Sequence, residues 1–305
     1  MSTTLRQLTL TVYRRLGIEH FRAKSSVDRP FICHIGDSSG EMPFYNREMA
    51  QAELVLMAEW CAHYEHPLIF DIGGNVGFIA TQLAQLLLER QPRIFSFEPV
   101  PHTLLLLVKS VQLLQLEDYV FPVGSGVGET PQLTEISYSE WNTMFAQIAS
   151  NGISNQRVGD KVGWCGILTL DQIAASIGES PCLIKLDVEG SEVRALKGAQ
   201  SLMASENPPA IAFEFNPATL SELGSSSDEL LGLFQGYQLY YVGDFENQKF
   251  EFGREITCKT QLDQVCNLFA VPAKAKTLAH WRAVLLKARA QLALLQRKHL
   301  AHRHA

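Results

Sequence analysis

The residues of this chain that could do chemistry sit in short motifs at the ends of apolar runs. Asp71-Ile72-Gly73-Gly74-Asn75-Val76-Gly77 follows Leu68-Ile69-Phe70 and precedes a helix-like stretch beginning at Phe78. It reads as strand, glycine turn, helix, where backbone comes closest to a ligand and a helix start offers unpaired N–H groups. Asn75 stands where a dinucleotide G-x-G-x-x-G has its second glycine, and Asp71 puts a carboxylate at the strand end. That charge repels a pyrophosphate and suits a cation. Glu98, in Phe97-Glu98-Pro99, ends the next apolar run. A carboxylate there accepts both hydroxyls of a ribose while Pro99 shapes the turn; a helix cap is its plainer role. In Gly124-Ser125-Gly126-Val127-Gly128 the small residues, Gly126 among them, leave room for a flat ring or make only a tight turn. The most specific run is Leu183-Ile184-Lys185-Leu186-Asp187-Val188-Glu189-Gly190. Lys185 and Asp187 share one face of a strand, and a buried lysine and aspartate must pair or bind something polar. Glu214, in Ile211-Ala212-Phe213-Glu214-Phe215, adds an acid at another strand end.

These residues need a frame, and the hydrophobic pattern supplies one. Strands are expected at 68–72, 93–97, 119–123, 182–186, 210–215, 237–242 and 267–271, with helices at 78–90, 101–114 and 191–203 between them. Strands alternating with helices of that length mean an α/β fold, a doubly wound and mostly parallel seven-stranded sheet. The last strand, reached without a helix, is expected to insert antiparallel. Residues 1–66 form an N-terminal helical appendage, with an amphipathic helix at 47–64 that covers the 67–273 domain. Residues 128–166 break the rhythm with Gly152, Gly159, Gly163 and Gly166 and with Tyr138, Trp141 and Trp164. Long irregular segments in compact domains are usually functional, so this one reads as an acceptor-binding insertion with Trp141 and Asn142 as contacts.

Hydrophobic residues make up 46% of the 305 and charged residues 19%, an ordinary globular balance. The net charge of −6 hides an asymmetry. Residues 274–305 hold eight Lys or Arg and no acid, leaving 18 basic against 32 acidic residues elsewhere. An acidic body does not suit a nucleic-acid enzyme, so no nucleic-acid partner is expected. In the tail, Leu278, Trp281, Leu285, Ala288, Leu292 and Leu295 recur at three- and four-residue steps. Such a basic helix has three uses: packing on the body, forming a homodimer, or making peripheral contact with an anionic membrane. Six cysteines without a C-x-x-C fit a reduced chain, and the first 18 residues lack a signal-peptide core. A cytoplasmic location is expected, at most peripheral to the inner face of the membrane.

Taken together, D-x-G-x-N-x-G, F-E-P, Thr169-Leu170-Asp171, I-K-x-D-x-E-G-x-E, Leu196-Lys197-Gly198-Ala199 and the acid-ending strand at Glu214 resemble the FkbM-type S-adenosylmethionine-dependent methyltransferases. The likeness covers about residues 67–216, and 267–271 also resembles that family's last strand; the first 60 residues and the tail are outside it. It departs at Gly74, often alanine in the family, and at Gly124-Ser125-Gly126, where the family more often has Asn and Ala. The resemblance implies a class I, Rossmann-like methyltransferase that uses S-adenosylmethionine. Asp71, Gly73, Gly74, Asn75, Gly77, Phe78, Glu98, Pro99 and Gly126 would hold that cofactor. It further implies O-methylation of a sugar, glycan or related small molecule, with Asp187 as base, Lys185 as its partner and Glu189 as a second acid. Glu214, Trp141 and Asn142 would meet the acceptor; no metal is assigned, although Asp187, Glu189 and Glu214 together could suit a divalent cation. The competing reading is a non-catalytic cofactor-binding or assembly domain working through its basic tail, and intact charges at the strand ends weigh against it.

Overall fold

The apolar runs that end in these residues pair side by side as strands. The computed structural model describes residues 3–46, 49–139, 147–148, 161–244, 251–258 and 262–303. The chain begins with α1 (Thr3–Arg15), the hairpin β1 (His20–Lys24) and β2 (Pro30–His34), then α2 (Ser38–Tyr45) and α3 (Gln51–Cys61). The alternating part follows as β3 (Leu68–Ile72), α4 (Phe78–Leu86), β4 (Arg93–Phe97), α5 (Pro101–Leu114) and β5 (Val120–Val123). A smaller sheet comes next: β6 (Gly126–Val127), β7 (Gln132–Tyr138), β8 (Gln147–Ile148) and β9 (Lys161–Leu168). The alternation resumes with α6 (Leu170–Ile177), β10 (Leu183–Leu186), α7 (Glu192–Lys197), α8 (Gln200–Met203), β11 (Ala210–Phe215), α9 (Pro217–Glu222) and α10 (Ser227–Gly232). The chain closes with β12 (Tyr237–Asp244), β13 (Glu255–Ile256), β14 (Cys266–Pro272) and α11 (Ala275–Arg303).

The main sheet runs β13-β12-β14-β11-β10-β3-β4-β5. Strands β11, β10, β3, β4 and β5 are parallel, whereas β14 pairs antiparallel with both β11 and β12. The insertion expected of the last strand is therefore present. Among the described residues the sheet has eight strands, one more than the seven expected, because the two-residue β13 adds an edge that no periodicity could reveal. Central parallel strands are covered on both faces and read as unbroken apolar runs; all five residues of β3 are buried. On one face Ile69, Leu183, Ala212 and Phe269 pack under α3, α4 and α11. On the other, Phe70, Ile184, Leu186 and Phe213 pack against α6, α7 and α10. The strand order turns between β3 and β10, and a ligand crevice opens at the strand C-termini at such a point.

Several expectations change in this frame. The 191–203 helix is broken into α7 and α8 at Gly198, where a Cβ would overlap the carbonyl of Gly128. The insertion, read as irregular, is bounded by an antiparallel ladder from Gln132↔Ile167 to Tyr138↔Lys161. Trp141 and Asn142 lie outside the described residues. The terminal helix spends its apolar ridge on the body. Trp281 stacks on Phe269 with ring centroids 5.2 Å apart, and Val284 and Ala288 are buried beside it.

Candidate functional site

Register places the key side chains in a row across the sheet. Ser96 of β4 lies beside Asp71 of β3, which lies beside Lys185 of β10. Ser96 Oγ donates to Asp71 Oδ2 at 2.7 Å, and Lys185 Nζ donates to Asp187 Oδ2 at 2.6 Å. Asp71 is fully buried, and its Oδ1 has no hydrogen-bond partner. Burial pushes its pKa up, against the pull of Lys185 and the Ser96 hydrogen bond. Burial also works against the Lys185 ammonium, but Asp187, Asp71 and Glu53 outweigh it and hold its pKa above the usual lysine range. The Lys185 side chain is 4% exposed and that of Asp187 41%, so the pair runs from the core to an open end.

The glycine turn closes on that end. Gly73 has φ +84°, and a Cβ there would overlap the carbonyl oxygen of Asp187, so only glycine lets the turn lie against β10. Gly74 leaves space that Ser96 Oγ occupies on its way to Asp71. Asn75, also left-handed at φ +48°, donates its backbone N–H to Glu98 Oε2 at 2.9 Å and its side-chain amide to Ser39 Oγ at 3.2 Å. Glu98 Oε1 accepts from Val100 N at 2.9 Å. Burial pushes the Glu98 carboxyl up to about 7 in spite of these two backbone donors. The N-terminal hairpin grips the same turn: His34 Nε2 meets Ser110 Oγ at 2.8 Å, and Ser110 donates to the carbonyl of Val76.

A cleft of about 710 Å³, including its open mouth, lies over the turn. Among the sequence-derived residues it is lined by Gly73, Asn75, Glu98, Pro99, Gly126, Asp187 and Glu189. The insertion contributes Ile136 from β7. Asp71, Gly74 and Lys185 stand behind this surface, and Gly77 starts α4 with φ +84°. Phe78 does not reach the cleft: its ring packs edge-to-face on Phe31 at 5.4 Å, because the N-terminal hairpin supplies an apolar partner below it. Glu214 also stays off the wall, where Asn216 Nδ2 approaches its Oε2 at 3.5 Å. Thr169 and Asp171 serve structure: Thr169 forms a capping box with Gln172, and Asp171 accepts from Ser201 N and Leu202 N at the start of α8.

Acids crowd at and behind the far wall. Glu189, left-handed at φ +51°, is pushed up to about 8 by burial and by Asp187, Glu214 and Glu192. Burial and Asp187 likewise bring Glu214 to about 7. Among the described residues no group of three or more His, Cys, Asp or Glu is arranged to hold a metal ion.

Several participants received no individual role from the sequence, although Ser125 and Glu192 lie inside motifs it singled out. Ser96 and Ser125 are buried hydroxyls; Ser125 lines the cleft, and its buried Oγ has no hydrogen-bond partner. Glu192 accepts from Val188 N and Gly190 N and so shapes the loop that carries Glu189. Glu53, on α3, is buried near Lys185. Its signal was its place on the apolar side of α3, in line with Met57 and Trp60. The site fits S-adenosylmethionine on two structural counts. The unpartnered Asp71 Oδ1 and Ser125 Oγ suit a cationic and a hydrogen-bonding ligand group, and Gly73, where any Cβ would overlap the Asp187 carbonyl, lets the turn lie close against β10 on the floor of the cleft.

A family model described as the methyltransferase FkbM domain matches residues 71–239. Among solved structures, the chain is similar to a methyltransferase FkbM from Methylobacillus flagellatus at 17% identity and TM-score 0.43, covering 68% of this chain and 44% of that one. It thus spans less than half the length of that structure. A SAM-dependent methyltransferase from Agrobacterium tumefaciens is similar at 9% identity and TM-score 0.44, covering 84% of this chain and 71% of that one. A SAM-dependent O-methyltransferase from Thermotoga maritima matches at 11% identity and TM-score 0.39, covering 82% and 76%. No curated protein matches the chain.

Proposed function

Because the chain belongs to the FkbM methyltransferase family, we propose that it methylates a hydroxyl of a sugar, glycan or related small molecule, with Asp187 taking the proton. Its cofactor is S-adenosylmethionine, which supplies a methyl group already activated on a sulfonium. The chain's own residues then have two tasks, alignment and proton removal. Glu98 offers lone pairs to ribose hydroxyls while its backbone donors hold it still. Asp71 places negative charge behind the glycine turn. Ser125 and Gly126 line the same cleft. An alcohol is too weak an acid to ionise unaided near neutral pH, and a carboxylate beside it accepts the proton as the new bond forms.

The observation that carries this reading is the Lys185–Asp187 pair, buried at the lysine and open to the cleft at the carboxylate. Lys185 orients Asp187 through the hydrogen bond from its ammonium group. Glu189, on the same wall, takes part as a second acid facing the acceptor. The test is Asp187→Asn: turnover should fall by at least ~100-fold while affinity for S-adenosylhomocysteine, which lacks the sulfonium charge, stays nearly unchanged by calorimetry. Full activity in that variant would remove Asp187 as the base.

The acidic body supports a small-molecule or glycan acceptor over a nucleic acid. No described helix is long and apolar enough to cross a membrane. We propose a cytoplasmic location, with the exposed basic side of α11, which includes Arg282, Lys287 and Arg297, available to an anionic membrane or a second copy.

A further inference from the structure

Glu53 lies outside the matched segment, yet its side chain enters the row that carries the chemistry. Lys185 and Asp71 project on the same sheet face as Leu183 and Ile69, the face that α3 covers. There the lysine meets the charges of Asp71 from β3, Asp187 from the end of β10, and Glu53 from α3. From β14, Asn267 Nδ2 approaches Glu53 Oε2 at 3.5 Å. Helix α11 also packs on α3, but it brings His280 and Trp281 to Trp60. One ammonium thus faces two buried carboxylates, Asp71 and Glu53, and the cleft-side Asp187, an arrangement that cannot hold both buried acids ionised cheaply.

We propose that Glu53 is a positioning residue of the cofactor site: it steadies the Lys185 ammonium between β10 and β3 and releases a proton when positive charge enters the cleft. The proposal rests on the reading of that cleft as an S-adenosylmethionine site. Burial brings the Glu53 carboxyl to about 7, and Asp187 and Asp71 push the same way while Lys185 opposes. Near neutrality Glu53 is therefore partly protonated. A cation arriving beside Asp71 and Asp187 offsets the excess negative charge and favours ionised Glu53. Its pKa falls in the complex, so affinity for a positively charged ligand rises with pH up to about 7 and then levels.

S-adenosylmethionine and S-adenosylhomocysteine separate this effect from the rest of the site, because they share the nucleoside and amino acid and differ in the sulfonium charge. Calorimetry in buffers of different ionisation enthalpy, just below neutral pH, counts the protons released by each. The wild-type protein should release more with the sulfonium ligand, by roughly half a proton. Glu53→Gln, matched in shape, should lose most of that difference while still binding S-adenosylhomocysteine. An unchanged difference in this variant overturns the proposal and leaves the methyltransferase reading intact. If the variant does not fold, wild-type protein decides: the affinity ratio of the two ligands should rise severalfold between about pH 5.5 and 7.5, and a flat ratio overturns the proposal. Failure of both ligands to bind the wild-type protein overturns the proposal and the reading together.

Discussion

Replacing Ser96 by alanine tests whether the row beneath the glycine turn is a charged device or ordinary packing. Ser96 Oγ is the hydrogen-bond donor to Asp71 Oδ2 at 2.7 Å, and Oδ1 of the same carboxylate already has none. In the variant a fully buried carboxyl group would lose its remaining partner. A hydrogen bond to a charged group contributes about 1.5–3 kcal/mol and one to a neutral group about 0.5–1.5 kcal/mol. The expected deficit is therefore about 1 kcal/mol when Asp71 is protonated and about 2 kcal/mol or more when it is ionised. The direction with pH follows from linkage. The folded pKa of Asp71 is raised, so the folded state holds its proton to higher pH than the unfolded chain. Ser96 favours the charged form, and its removal raises that pKa further. The deficit should then be small at acid pH and grow as pH rises through the raised value. Urea unfolding of both proteins at about pH 5 and pH 8 reads this, because the other acids are common to the pair and cancel in the difference. A deficit that is constant or shrinks with pH would refute the charged state assigned to Asp71.

Gly73→Ala should cost at least ~1–2 kcal/mol from the left-handed backbone alone and abolish measurable cofactor binding, since its Cβ would meet the Asp187 carbonyl. Retained micromolar binding in a calorimetric titration would show that the turn does not lie on β10. For Glu98, held near 7, ribose hydroxyls favour the carboxylate, so S-adenosylhomocysteine should bind more tightly as pH rises through about 7. Glu98→Gln should flatten that profile; a pH dependence identical to the wild type counts against the ribose assignment. Deleting the tail would strip Trp281, Val284 and Ala288 from the core, so its partners are better tested by reversing exposed charge. Arg282→Glu with Arg297→Glu should reduce sedimentation with anionic vesicles or shift the dimer equilibrium, and no change in either assigns α11 to packing alone.

Legibility in the sequence followed the nature of each segment. The bounds of β3, β4 and β11 match the apolar runs because buried parallel strands need hydrophobic residues on both faces. Asp71, Lys185 and Asp187 stood out because charge interrupts those runs. In contrast, β7 is mostly half-buried and β9 mostly exposed, and they carry Thr, Glu, Gly and Lys, so their pairing appears only once the register brings them together. Ser96 is an ordinary strand serine until pairing sets it beside Asp71. Glu53 is further still from sequence view, since its meaning depends on a lysine far along the chain. Phe78 differs for the opposite reason: the motif marks its backbone at the start of α4, while the packing of the N-terminal hairpin on α4 decides where its ring goes.

Strand β14 lies between β11 and β12, both of which precede it in the chain. On the ribosome, β11 must therefore wait with one edge unpaired while β12 and β13 emerge. The edge that carries Glu214 is sealed only when residues 266–272 leave the exit tunnel, and α11 must follow before Trp281 can close over Phe269. That edge of the main sheet is thus among the last parts of this molecule to be completed during synthesis. A nascent chain stalled before β14 would display an open strand to chaperones and would have Glu53 without Asn267.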